Sequence, residues 1–98
     1  MSDLNNLITE DRRLAVLTLL ADSHAYQAGA PMLQMVLAGL GHAVSLDTVV
    51  ADLAWLRDAG LLGLREVSTV HIATLAARGL DVAKGLTQVP GVARPRPE

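Results

Sequence analysis

Apolar residues recur along this chain three to four positions apart in some stretches and two apart in another, and the change of period divides it into elements. Leu14, Leu17, Leu20 and Ala21 fall on one face of a helix predicted from Thr9 to Asp22, with Thr9 as its cap and Glu10 and Asp11 at the end where the helix dipole favours negative charge. Residues 23–30 break the pattern, with Tyr26, Gln27 and Ala28 as a candidate short strand. Pro31 suits a first helical position, and Leu33, Val36, Leu37 and Leu40 keep helical spacing up to Gly41. A third helix is predicted from the Ser45 cap onward: Asp47 sits in its first turn, Val44 can staple onto Val49, and Val49, Leu53 and Leu56 make one stripe before Gly60 stops it. Alternation then takes over. Leu62, Leu64 and Val67, followed by Val70, Ile72 and Thr74, predict a hairpin turning at Ser68 and Thr69. A fourth helix is expected from Leu75 to Lys84, with Gly79 as a weak point inside it, ahead of a tail that holds all but one of the prolines.

The predicted class is mainly α with a small β-hairpin. The segment from Ser45 to Leu62 carries more than a fold class, because Ser45, Val49, Leu53, Leu56, Arg57, Asp58, Ala59, Gly60, Leu61 and Leu62 stand in ungapped register with a known pattern. It resembles the third helix of arsenic-repressor-type (ArsR) winged helix-turn-helix regulators. The chain as a whole resembles small winged-helix proteins of Mu-like prophages, from its start, Met-Ser-Asp-Leu-Asn-Asn-Leu-Ile-Thr-Glu-Asp-Arg-Arg-Leu, to its Val-Pro-Gly-Val segment. The resemblance implies a winged helix-turn-helix domain over residues 1–86, a flexible Pro/Arg tail over 87–98, and a regulator whose third helix and wing hold duplex DNA.

A chain of 98 residues supports one domain with a modest core, and with no phenylalanine and only Tyr26 and Trp55 as aromatics that core must be aliphatic. A hydrophobic share of 51% leaves material for self-association, and Leu4, Leu7, Ile8, Leu75, Leu80 and Val82 on the terminal helices are the residues expected to pair two copies. The chain has no cysteine, which excludes disulfides and thiolate metal sites. Glu10, Asp11, Arg12 and Arg13 interrupt the first apolar stretch, so neither a secretory signal nor a membrane span is expected, and the default location is the cytoplasm. His24, His42 and His71 lack ligand spacing and no nucleophile constellation is present, so no metal, no cofactor and no catalysis are expected.

Net charge is −2, and residues 1–56 hold two arginines against six acids, while 57–98 hold six basic residues against four acids. Cations for a nucleic-acid backbone must therefore come from the far end of the third helix, the hairpin, the last helix and the tail. The expected DNA contacts are Ser45, Thr48, Arg57, Arg65 and His71. At about 100° per residue, the face opposite the buried stripe carries Asp47, Ala51, Ala54 and Asp58. Where the repressors commonly present polar or basic groups, this chain has Leu46, Val50, Ala51 and Asp52. That face suits a second class of partner, a host or phage protein, with Ala51, Ala54 and Trp55 as the interface. For Trp55, packing against a neighbouring element is the plainer role and anchoring a partner the sharper one.

Overall fold

The computed structural model describes residues 3–96. Four helices and a three-stranded antiparallel sheet follow in the order α1 (Leu4–Ala21), a 3₁₀ turn (His24–Tyr26), β1 (Gln27–Gly29), α2 (Ala30–Gly39), α3 (Leu46–Asp58), β2 (Leu62–Val67), β3 (Val70–Leu75) and α4 (Ala77–Ala83). The sheet runs β1-β3-β2, so the short first strand closes onto the far side of the hairpin, with Gln27 opposite Thr74 and Gly29 opposite Ile72. A sheet of three strands makes the fold mixed α and β, wider than a hairpin alone.

The core is aliphatic, as the composition requires. Val16, Leu17 and Leu20 of α1, Leu33 and Leu37 of α2, and Val49, Leu53 and Leu56 of α3 are buried against Leu61, Leu62 and Ala73 of the sheet region. Leu62, Leu64, Ala73 and Leu75 pair across β2 and β3 on the inner face, while Arg65, Ile72 and Gln27 lie on the outer one.

Several boundaries differ from those predicted. Helix α1 begins at Leu4, because Asp3 takes the cap and accepts a hydrogen bond from the Asn6 amide at 2.8 Å, and Thr9 lies inside the helix. Leu75 ends β3, so α4 starts two residues later than the periodicity suggested. The largest difference is the tail. Val89 and Val92 are buried in the core, and the Ala93 amide donates to the Glu10 carbonyl at 3.1 Å. The segment expected to be loose from residue 87 is thus laid along α1, because two valines three residues apart find an apolar seat. Met1, Ser2, Pro97 and Glu98, parts of the expected start and tail, lie outside the described residues.

Gly79, expected as a weak point, is a point of close approach. A Cβ there would stand 2.0 Å from the Leu61 carbonyl oxygen and 2.7 Å from Leu75 Cδ1, both parts of the core wall. Gly79→Ala is therefore expected to lower stability by about 3 kcal/mol in urea unfolding, the upper end of overpacking costs. The hairpin turn carries the opposite prediction. Val67 pairs Val70, which leaves Ser68 and Thr69 as a two-residue turn at φ 49° and 68°, a conformation that costs a β-branched residue on the order of 1 kcal/mol. Thr69→Gly should raise the urea midpoint with no change in its slope.

Candidate interaction surface

Helix α3 is positioned by its own ends. Ser45 Oγ accepts from the Thr48 amide at 3.1 Å and bonds the Thr48 hydroxyl at 3.0 Å, and Asp47 sits in the first turn. At the other end Gly60 takes φ 80° and the Leu61 amide donates back to Leu56, which turns the chain into β2. Arg78 of α4 reaches across to donate to the Ala59 carbonyl at 3.4 Å.

The five residues expected to hold DNA do not gather into one cluster. Ser45 and Thr48 are engaged with each other as the cap. Arg57 lies at the far end of the helix, roughly 16 Å along its axis from Leu46, and is bonded to its neighbour Asp58 at 3.1 Å. Arg65 projects from the outer sheet face and donates to Gln27 Oε1 at 3.3 Å. His71, on the opposite face of the hairpin, pairs with Glu66 at 3.6 Å.

The residues expected to meet a protein divide as well. Ala51 is exposed and Ala54 and Trp55 are half-buried, and the Trp55 ring is partly covered from within the chain. The Arg13 guanidinium of α1 stacks 3.9 Å from the centre of its indole ring. Arg13 Nη1 donates to the Gly91 carbonyl at 2.9 Å, and Gly91 passes so close that a Cβ there would fall 2.5 Å from the ring. Trp55 therefore seats the tail, a packing role of the kind expected as the plainer of its two. Burial pulls the Arg13 guanidinium below its ordinary value, an effect the nearby Asp52 charge partly offsets, and its Nε makes no hydrogen bond among the described residues.

A correction concerns Asp52, which the resemblance put at an outward reading position. It is buried beside Arg12: Nε donates to Oδ2 and Nη2 to Oδ1 at 3.1 Å, a bidentate pair between α1 and α3. The signal was present in the spacing. Arg12 precedes Val16 and Leu20 at intervals of four, and Asp52 lies three after Val49 and four before Leu56, so each charged residue is in register with a buried stripe.

With these groups engaged, the outward surface of α3 is Asp47, Ala51, the half-buried Ala54 and Asp58, flanked by Leu46 at the helix start and by the exposed Arg57 at its end. Beside it α2 exposes Pro31, Met32, Met35 and Ala38, with Met35 64% accessible. Gln34 of α2 donates to the Val44 carbonyl at 3.1 Å and ties the two helices across the turn. Methyls, thioethers and two carboxylates, one of them bonded to Arg57, thus make up this face. Among the described residues no group of three His, Asp or Glu side chains is placed to hold a metal, and no helix is long and apolar enough to cross a membrane.

Removing one member of the buried pair strands the other. Asp52→Ala is expected to cost about 3–5 kcal/mol in urea unfolding, whereas the double replacement Arg12→Met with Asp52→Leu should recover most of that loss.

Known proteins resemble the chain over most of its length. It is 40% identical over 94 residues to the protein gp26 of Escherichia phage Mu, which covers 96% of this chain and 97% of gp26. A protein of Haemophilus influenzae strain Rd is 35% identical over 75 residues, 76% of this chain and 72% of that protein. Neither name states an activity. No protein-family model matches the chain. No solved structure matches it.

Proposed function

From the premise that the chain belongs to the family of phage Mu gp26, we propose that it is a winged-helix interaction module of a Mu-like phage that binds a protein through the outward faces of α2 and α3. The observation that carries this reading is the composition of the α3 face. A helix that reads bases needs donors and acceptors along its outer side, and this one presents Asp47, Ala51, Ala54 and Asp58. Each carboxylate brought to a phosphate costs on the order of 1 kcal/mol at the dielectric of water and more once desolvated. Two arginines that could offset them turn inward, Arg12 to Asp52 and Arg13 to Trp55, and Arg57 offsets Asp58 alone at the far end of the helix. A protein segment with apolar side chains and flanking lysines or arginines complements the same face, and the exposed methionines of α2 adapt to such a partner. The reading is one of binding rather than catalysis.

The element order favours a second reading, a DNA-binding transcriptional regulator. Helix, turn, helix and hairpin follow one another as in winged-helix regulators, with α3 as the recognition helix and β2–β3 as the wing. Contacts would then fall to Arg65, Arg78 and the exposed tail arginines, and affinity would be non-selective and steeply dependent on salt.

Two measurements on the full chain separate these readings. A labelled duplex titrated at low and at physiological salt is expected to show weak binding at low salt that is lost at physiological salt. Capture of a partner from phage-infected host cells is expected to disappear in Met35→Glu with Ala51→Arg and to survive Arg65→Ala. Tight, base-specific duplex binding at physiological salt would replace the protein-binding reading with the regulator.

A further inference from the structure

We propose that the outer face of α1 is the contact between two copies of this chain, packed antiparallel about a two-fold axis beside Asp11. Arg12 and Arg13 turn inward to Asp52 and Trp55 beside the buried Leu17 and Leu20, while Leu4, Leu7 and Ile8 turn outward. Leu4, Leu7 and Ile8, exposed, and Leu14, Ala15 and Leu19, half-buried at the edge of the core, share one side of the helix with Asp11 between them and make a second apolar strip. Leu4 is 71% accessible and Leu7 52%, values that an ordinary core-facing leucine never has. Toward its C-terminal end the strip becomes a groove of about 210 Å³ lined by Asp11, Leu14, Ala15, Thr18, Leu19 and Leu40, the last contributed by the end of α2.

Size and symmetry name the occupant. The strip with Leu40 leaves roughly 400 Å² of apolar surface exposed, the scale that marks interaction surfaces. A stable interface covers about 800 Å² on each partner, a little over half of it apolar, so one such strip supplies nearly the whole apolar share. Its two ends are complementary, with projecting Leu4, Leu7 and Ile8 at one and the groove at the other. A two-fold axis beside Asp11 places the projecting end of each copy in the groove of its partner, which makes the contact self-complementary and closed.

Asp11 is the only ionised group in the strip, and each copy ties it to its own His42 at 2.9 Å. At the axis the two carboxylates face each other, so the dimer is reversible and Asp11 limits it. The side chain is about half exposed and Asn keeps an acceptor for His42, so Asp11→Asn leaves the fold in place.

Sedimentation velocity on the full chain from about 1 to several hundred micromolar is the test. The expected result is a concentration-dependent dimer that Leu7→Glu with Ile8→Glu weakens by roughly tenfold or more and that Asp11→Asn strengthens. These residues lie outside the α2–α3 face, so this outcome is independent of the protein-binding or DNA-binding reading. A monomer at every concentration would overturn the proposal, as would a dimer indifferent to the Leu7 and Ile8 replacements. Weakening by Asp11→Asn would overturn it too, since it would mean that Asp11 meets a cation, as on a basic helix of a different protein.

Discussion

The bidentate pair of Arg12 on α1 with Asp52 on α3 fixes how the two longest helices lie against each other, and much of the surface follows from it. Taking two ions out of water costs several kcal/mol for each, and only good geometry with further hydrogen bonding recovers it. Here two parallel bonds supply that geometry. Once Arg12 is directed at Asp52, its neighbour Arg13 is carried to the side of α3 one turn further on, where Trp55 stands, and the guanidinium stacks on the indole. That stacked pair becomes the seat of the tail. Arg13 holds the Gly91 carbonyl, Gly91 lies over the ring, and Val89 and Val92 enter the core on either side. A charge pair 40 residues apart in sequence thereby helps to place the segment around Gly91.

The elements themselves were largely readable from the sequence, for a simple reason. Helices α2 and α3 and the hairpin carry signals that reinforce each other: Pro31 at a helix start, Ser45 as a cap, a permissive glycine at residue 60, and period-two alternation interrupted by one polar pair. Where signals competed, the boundary moved. Asp3 and Thr9 are both capable caps, and the leucines between them favoured the longer helix. The tail was obscured by its prolines and glycine, whose composition outweighs two valines in any reading of local pattern, although those valines gain their stability from α1 and Trp55, far away in sequence.

The interaction surface was legible only in part. The helical wheel placed Asp47, Ala51, Ala54 and Asp58 outward, and Asp47, Ala51 and Asp58 are exposed, with Ala54 half-buried and Leu46 and Arg57 exposed beside them. The resemblance put Asp52 among the positions where repressors present polar groups, whereas its register with Val49 and Leu56 argues for the burial it has. Trp55 presented the same difficulty in reverse. An aromatic beside two alanines looks like a partner anchor until a distant arginine is known to cover it, and nothing near residue 55 announces Arg13.

The ion pair also accounts for the leucines left in water. Helix α1 has two faces able to meet the core: one with Val16, Leu17 and Leu20 alongside Arg12, the other with Leu7, Leu14, Ala15 and Leu19. On apolar content alone the second competes well, and turning the helix to bury it would send Arg12 to solvent. Asp52 would then stay behind on α3 as a buried carboxylate without its cation, a cost of several kcal/mol that the extra buried methylenes would have to exceed. Arg12 and Asp52 thus act as a register device, selecting which face of α1 points inward, and the other face is left apolar, half-buried at Leu14, Ala15 and Leu19 and exposed at Leu7. A surplus of hydrophobic residues in a chain this short becomes a surface feature because one buried charge pair outranks it in orienting the helix.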